Sequence, residues 1–258
     1  MINGLSSEKI LQWFVTAGVD ETIGDNPINR FDQPTQKNQA DTFLSSEHSS
    51  NTAAPILSTA ENSESLSLAQ RALSLEDLRT ILAQSVNCPL KSTATNMVFG
   101  AGNPRAKLMI IGEAPGAEED RQGLPFVGAS GRLLDLMLNS IGLQRSEVYI
   151  TNILPWRPPG NRKPSEAETA LFTPFVRRHI ALVKPQVLLL LGGSAVAALM
   201  NTNAGITKTR GRWLTYIDTD DISIQTIASF HPAFLLRTPL QKKLAWRDFL
   251  AVKEKLNG

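Results

Sequence analysis

Three polar segments of this 258-residue chain carry side chains suited to acid–base or electrostatic chemistry. Gly112-Glu113-Ala114-Pro115-Gly116 opens a loop running to Gly128 that also holds Glu118, Glu119, Asp120, Arg121 and one aromatic, Phe126. Thr151-Asn152 leads into Arg157-Pro158-Pro159-Gly160-Asn161-Arg162, and His231-Pro232 precedes Ala233-Phe234-Leu235-Leu236-Arg237. A carboxylate can hold a water or steady a developing cation, and a carboxamide offers both acceptor and donors. An imidazole N–H can stabilise an oxyanion as it forms. Glycines at 112, 116, 123 and 128 permit positive φ or close approach of backbone to a ligand, while Pro115 and Pro125 fix the path between them. Singly, each segment has a plainer reading: a long surface loop, a turn-forming Asn, a structural His. Their combined chemistry requires elements that bring the three loops together.

The chain supplies such elements. Apolar runs at Leu108–Ile111, Glu147–Asn152, Val187–Leu191 and Ile224–Ala228 read as strands, the third apolar on both faces as a central parallel strand should be. Helical spacing marks Leu75–Leu82 after the cap candidate Ser74, and Gly131–Ile141 before Gly142. Ser165-Glu166-Ala167-Glu168 is a capping box opening a helix to about Val183. Ala195–Met200 and a closing helix from Thr238-Pro239 complete the set. Four strands alternating with helices predict an α/β fold, a three-layer α/β/α domain with a four-stranded parallel central sheet. The polar loops then follow strands one, two and four, at the carboxyl ends where open α/β sheets build their sites.

Charge is unevenly distributed. Residues 1–66 hold three Lys/Arg against nine Asp/Glu, and residues 67–258 hold 23 against 15. The first stretch is read as an acidic, largely disordered extension, with a short helix near 7–19 that is either a docking peptide or a weakly ordered end. The second is the compact domain, whose basic surplus points to a polyanionic partner. With one cysteine, Cys88, no internal disulfide can form and a cytosolic setting is expected. No apolar run is long enough to cross a membrane, and the N-terminus lacks a basic-then-apolar signal pattern.

The three segments, joined by Pro125-Phe126-Val127-Gly128, resemble the uracil-DNA glycosylase superfamily over about Leu75 to Phe249, and most closely its family four. Within that family the likeness is to a proteobacterial branch whose members also carry an acidic, variable N-terminal extension. The resemblance implies excision of uracil from DNA, single- or double-stranded, by hydrolysis of the N-glycosidic bond. It implies that Phe126 stacks on the flipped base, that Gly112 belongs to the base-binding residues, that Asn152 pairs with uracil N3–H and O4, and that His231 faces O2. Ala114 stands where the best-known members carry an Asp, so Glu113 and Asn161 become the candidates for holding the water or steadying the sugar cation. Gly116 stands where other families place a Tyr that excludes thymine, which leaves Glu119 for that task. Leu235 and Leu236 are the candidate wedge, and Arg157, Arg162, Lys163, Arg210, Arg212 and Arg237 the candidate phosphate contacts.

The chain departs from the family at one feature. Typical family-four enzymes hold a [4Fe–4S] cluster on four cysteines; here those places carry Ser85, Cys88, Trp156 and Phe172. Since such clusters need four thiolates, no cofactor is expected, with Trp156 and Phe172 filling the space. Two other readings remain. One is a catalytically weak or crosslinking uracil-DNA-binding relative, although no inserted basic loop lies between Phe126 and Gly131. The other is a tethering module whose extension binds a protein partner.

Overall fold

Residues 59–200, 202 and 204–258 are described by the structure, a computed structural model, and all lie in the unit Ala53–Gly258. The expected helix near 7–19 and the rest of the extension through residue 58 lie outside the described residues. In chain order the elements are α1 (Thr59–Gln70), α2 (Leu75–Ser85), α3 (Leu90–Thr93), β1 (Ala101–Gly102), β2 (Leu108–Gly112), α4 (Ala117–Gln122) and α5 (Ala129–Ser140). They continue with β3 (Tyr149–Asn152), α6 (Glu166–Val183), β4 (Val187–Leu191), α7 (Gly193–Met200) and α8 (Ile206–Thr209). β5 (Trp213–Ile217), β6 (Ser223–Ser229), α9 (Pro232–Arg237) and α10 (Lys242–Asn257) follow. The first helix, α1, runs across the point between residues 66 and 67 at which the sequence puts the start of the domain, and it buries Ser65 and Ala69.

The four expected strands form the parallel centre of the sheet, in the order β3-β2-β4-β6. The sheet is larger than four strands, however. Among the described residues it has six, because β1 adds antiparallel to β3 and β5 adds antiparallel to β6. Helices cover both faces, as a three-layer α/β/α fold requires. The period-two alternation divides the core: Met109, Ile111 and Leu188 pack with Phe172, Phe175 and Val196 from α6 and α7. Leu108, Ile110 and Leu189 pack with Leu134, Leu138, Phe249 and Val252 from α5 and α10.

Local chemistry starts the helices where the sequence predicts. Ser74 Oγ accepts from Asp77 N at 3.1 Å. In the box before α6, Ser165 Oγ accepts from Glu168 N and Glu168 Oε2 from Ser165 N, at 3.1 and 2.8 Å. The closing helix differs slightly: Pro239 opens a single 3₁₀ turn, Pro239–Gln241, that runs into α10.

Candidate active site

Strand order brings the three polar loops to one end of the sheet. Gly112 at the end of β2 lies opposite Asn152 at the end of β3, and β4 separates β2 from β6, whose end leads to His231. The chain moves to opposite sides of β2 to form β3 and β4, so this is the switch point at which such sheets bind ligands. A cavity of about 190 Å³ opens there, bordered by Glu113, Glu119, Phe126, Asn152, Asn161 and His231.

Asn152 is 4% exposed, and its Oδ1 has no hydrogen-bond partner among the described residues. Buried polar atoms are nearly always paired, and an unpaired one costs about 1–3 kcal/mol. Close packing fixes where this oxygen sits. A Cβ on Gly112 would stand 2.4 Å from Asn152 Oδ1 and 2.6 Å from Phe126 Cζ, so only glycine lets the ring and the carboxamide lie over the strand end.

Phe126 is held in a left-handed backbone conformation, φ 52°, which is uncommon for a bulky residue and costs about 1–3 kcal/mol. Two features hold it. Arg145 Nη1 donates to Phe126 O at 2.9 Å and to Asp135 Oδ1 at 3.1 Å, while its Nη2 donates to Pro125 O. A Cβ on Gly131 would lie 1.7 Å from Phe126 O, so the start of α5 must be glycine there to admit that carbonyl. The Phe126 ring centroid is 5.4 Å from that of His231.

His231 caps α9 with Nδ1 accepting from Ala233 N at 3.2 Å, which assigns the ring proton to Nε2. Burial pushes its pKa below the usual imidazole value, against the pull of the Glu113 carboxylate. The ring is therefore a neutral donor at physiological pH. Glu113 Oε2 accepts from Ser194 Oγ at 2.6 Å. Asn161, in a left-handed turn (φ 55°), accepts on Oδ1 from Arg157 Nε at 2.8 Å.

Glu119 borders the cavity, but its carboxylate is taken up by the loop that carries Phe126. Oε1 accepts from Val127 N and Gly128 N at 3.0 and 2.8 Å, and Oε2 from Gly116 N at 3.2 Å. Both oxygens being engaged, the geometry gives Glu119 the job of shaping the loop.

The family model that matches this chain, over residues 99–250, is that of the uracil DNA glycosylase superfamily. The chain belongs to that superfamily. Type-4 uracil-DNA glycosylases from Sulfurisphaera tokodaii and Archaeoglobus fulgidus are each 37% identical to it, over 186 and 185 residues. Those stretches make up 70% of this chain in both cases, and 84% and 92% of the two relatives. The type-4 enzyme of Thermotoga maritima is also 37% identical, over 167 residues, 63% of this chain and 85% of that protein.

Several residues suggested for DNA contact in this superfamily member have other partners. Arg210 is a correction: its guanidinium is bound to Asp248 through Nε–Oδ2 at 3.0 Å and Nη2–Oδ1, donates to Leu244 O at 2.7 Å, and lies over Phe230. Leu235 is another, 0% exposed in a small core with Phe230 and Ala245, so it cannot act as a wedge. Its neighbour Leu236 is 43% exposed. Arg162 makes two bonds to Glu168, at 2.8 and 2.6 Å, and holds the Glu168 carboxyl at about 2. Arg157 faces Asp120 at 4.0 Å, whereas Lys163, Arg212 and Arg237 are exposed.

The places of the family's cluster ligands do not fit a cluster. Trp156 and Phe172 have no atom that ligates iron; both are buried, their ring centroids 5.6 Å apart, with Lys91 Nζ 5.8 Å from the Trp156 centroid. Cys88 is buried beside them, and burial raises its thiol pKa. Among the described residues no three His, Cys, Asp or Glu side chains converge as metal ligands. None of the described helices is long and apolar enough to span a membrane.

Two residues of the site have no signal in the linear sequence. Ser194 follows a strand that carries no polar loop, and Arg145 lies beyond α5; only the strand order and the strained loop bring them to Glu113 and Phe126.

Proposed function

We propose that this protein is a uracil-DNA glycosylase that flips deoxyuridine out of DNA and hydrolyses its N-glycosidic bond. The observation that carries the reading is the unpaired Oδ1 of Asn152, buried at a small cavity beside a neutral imidazole donor. At about 190 Å³ the cavity is below the size of sites for drug-sized ligands and suits a single base. Uracil N3–H supplies the donor that Asn152 Oδ1 lacks, and the Asn152 NH₂ donates to O4. Cytosine presents an acceptor at N3 and is rejected. Phe126, held rigid by Arg145 and Gly131, offers the flat surface on which the base stacks.

In the reaction the C1′–N1 bond breaks and its electron pair passes to uracil, where charge spreads onto O2. His231 Nε2–H stabilises that charge without itself losing a proton. Water adds its oxygen to C1′ and gives its proton to the Glu113 carboxylate, and Asn161 at the rim steadies the sugar. The Glu113 proton then passes through solvent to the uracil anion, so the products are neutral uracil and an abasic site with the carboxylate regenerated. On this reading the enzyme works without an iron–sulfur cluster, since only one of its residues, Cys88, could supply a thiolate. We also read it as a cytosolic protein whose acidic residues 1–66 serve a protein partner.

The test is an oligonucleotide with one uracil, treated with alkali after incubation so that each abasic site becomes a strand break. Uracil is excised, and cytosine and thymine controls are spared. Asn152→Asp, which loses the donor to O4, lowers excision at least ~100-fold. Excision by Asn152→Asp at the wild-type rate removes this pairing from the reading.

A further inference from the structure

We infer that Ser194 is a positioning residue of the reaction, orienting Glu113; this rests on Glu113 being the water-binding carboxylate. Gly192 makes the turn that joins β4 to α7, whose first residues are Gly193 and Ser194, and β4 lies between β2 and β6. The turn is therefore wedged between the loop bearing Glu113 and the strand end bearing His231. Its position on that side is fixed: Gly192 has φ +95°, its N donates to Ser229 O at 2.9 Å, and a Cβ there would stand 3.3 Å from His231 Cβ. Only glycine holds this turn so near the imidazole.

From this turn Ser194 Oγ donates to Glu113 Oε2 at 2.6 Å, a short contact of the kind made to an ionised carboxylate. Glu113 Oε1 makes no hydrogen bond among the described residues, and Glu113 borders the cavity. A glutamate has three side-chain torsions and, untethered, distributes its oxygens over many positions. One fixed oxygen leaves the other as a single, directed acceptor for the water. Misplacement of a catalytic group by ~1 Å can cost ~100-fold, so a single tether of this kind has a measurable effect on rate. Ser194 touches neither base nor sugar in this arrangement; it acts through Glu113.

The experiment is a double-mutant cycle of Ser194→Ala and Glu113→Gln in the full-length protein. It is read as single-turnover excision rate and as KM for a uracil oligonucleotide, with Tm as the control for folding. We expect Ser194→Ala to lower the rate ~10-fold with KM and Tm little changed, Ser194→Thr to restore most of it through its hydroxyl, and Ser194→Ala to add less than ~2-fold on top of Glu113→Gln. A wild-type rate in Ser194→Ala, alongside a slow Glu113→Gln, overturns the role of Ser194 and leaves Glu113 in place. Equal losses from Ser194→Ala in both backgrounds also overturn it, because Ser194 then acts on another group. A wild-type rate in Glu113→Gln overturns the assignment of Glu113, and the inference about Ser194 with it.

Discussion

Asn152 and Trp156 leave the same strand end, yet their surroundings are opposite. Around Asn152 three polar atoms have no hydrogen-bond partner among the described residues: the buried Asn152 Oδ1, Glu113 Oε1 and the Nε2–H of His231. Around Trp156 the contacts are mainly apolar: Trp156, Phe172 and Cys88 are buried in one core cluster, next to a cavity of about 440 Å³ that Cys88 and Glu168 help to line. Among the described residues Tyr216 Oη and Asp218 Oδ2 are also buried without a partner, so what sets Asn152 Oδ1 apart is its place at the cavity, where a ligand can pair it. On the proposed function, stability and catalysis are expected to be separable on this sheet.

The comparison can be broken most severely on its packed side. Phe172→Ala removes a fully buried ring and lowers stability by about 3–5 kcal/mol. The rate per folded molecule should hold near wild type at a temperature where the variant remains folded, as shown by denaturant unfolding alongside the excision assay. A large loss of rate with little loss of stability would join the two regions that we separate.

On the open side the mirror-image result is expected. His231→Ala loses a donor to the developing oxyanion and slows single-turnover excision by ~10²–10³-fold. Its affinity for DNA and its Tm change little, measured by fluorescence anisotropy and calorimetry. Loss of affinity alone would make His231 a DNA-gripping residue.

Acid sharpens the same division. His179, stacked on Phe99 and bonded to Tyr149 Oη at 2.9 Å, is pushed by burial down to about 3. His231 is shifted in the same direction, also by burial. Both take up protons more readily when unfolded than when folded, so the stability they contribute is present above the unfolded value of 6.5 and is lost as pH falls. Tm should decline as pH drops through 6.5 and go on declining toward about 3. In His179→Gln, which keeps a partner for Tyr149, the decline between those values shrinks. An unchanged decline would place its origin in other groups.

The smallest effects separate two arginines. Arg237→Ala, at an exposed position, should weaken DNA binding a few-fold and reduce the salt slope by about 1. Arg210→Ala should leave the salt slope alone and lower Tm, because its partner Asp248 is buried and would be left unpaired. The reverse pattern would return Arg210 to the DNA-binding face.

Much of this was legible in the residues. The four parallel strands, the capping box before α6 and the convergence of Glu113, Asn152 and His231 follow from apolar periodicity and the chemistry of strand ends. What could not be read depends on distant partners. β5 is a five-residue edge strand with Trp213 and Ile217 exposed, and it exists because Ser223–Ile227 pairs with it. α1, Ser-rich and weakly patterned, is held by packing on α6. Leu235 and Leu236 are identical in type and adjacent, and only the rotation of α9 decides which is core. Arg210 reads as a loop cation until Asp248 is found beside it. Ser194 has no chemistry in the linear order, and acquires it when β4 is placed next to β2.

The base pocket is expected to work while the apolar region beside it needs no metal. The most direct test is the single-turnover excision rate of protein purified in the presence of chelator, with iron determined in the same sample. Colourless protein is expected, with no stoichiometric iron, no absorbance band near ~400 nm, and uracil released at a rate that added iron and sulfide do not change. Stoichiometric iron in the active fraction, or a rate that rises and falls with iron content, would contradict that expectation.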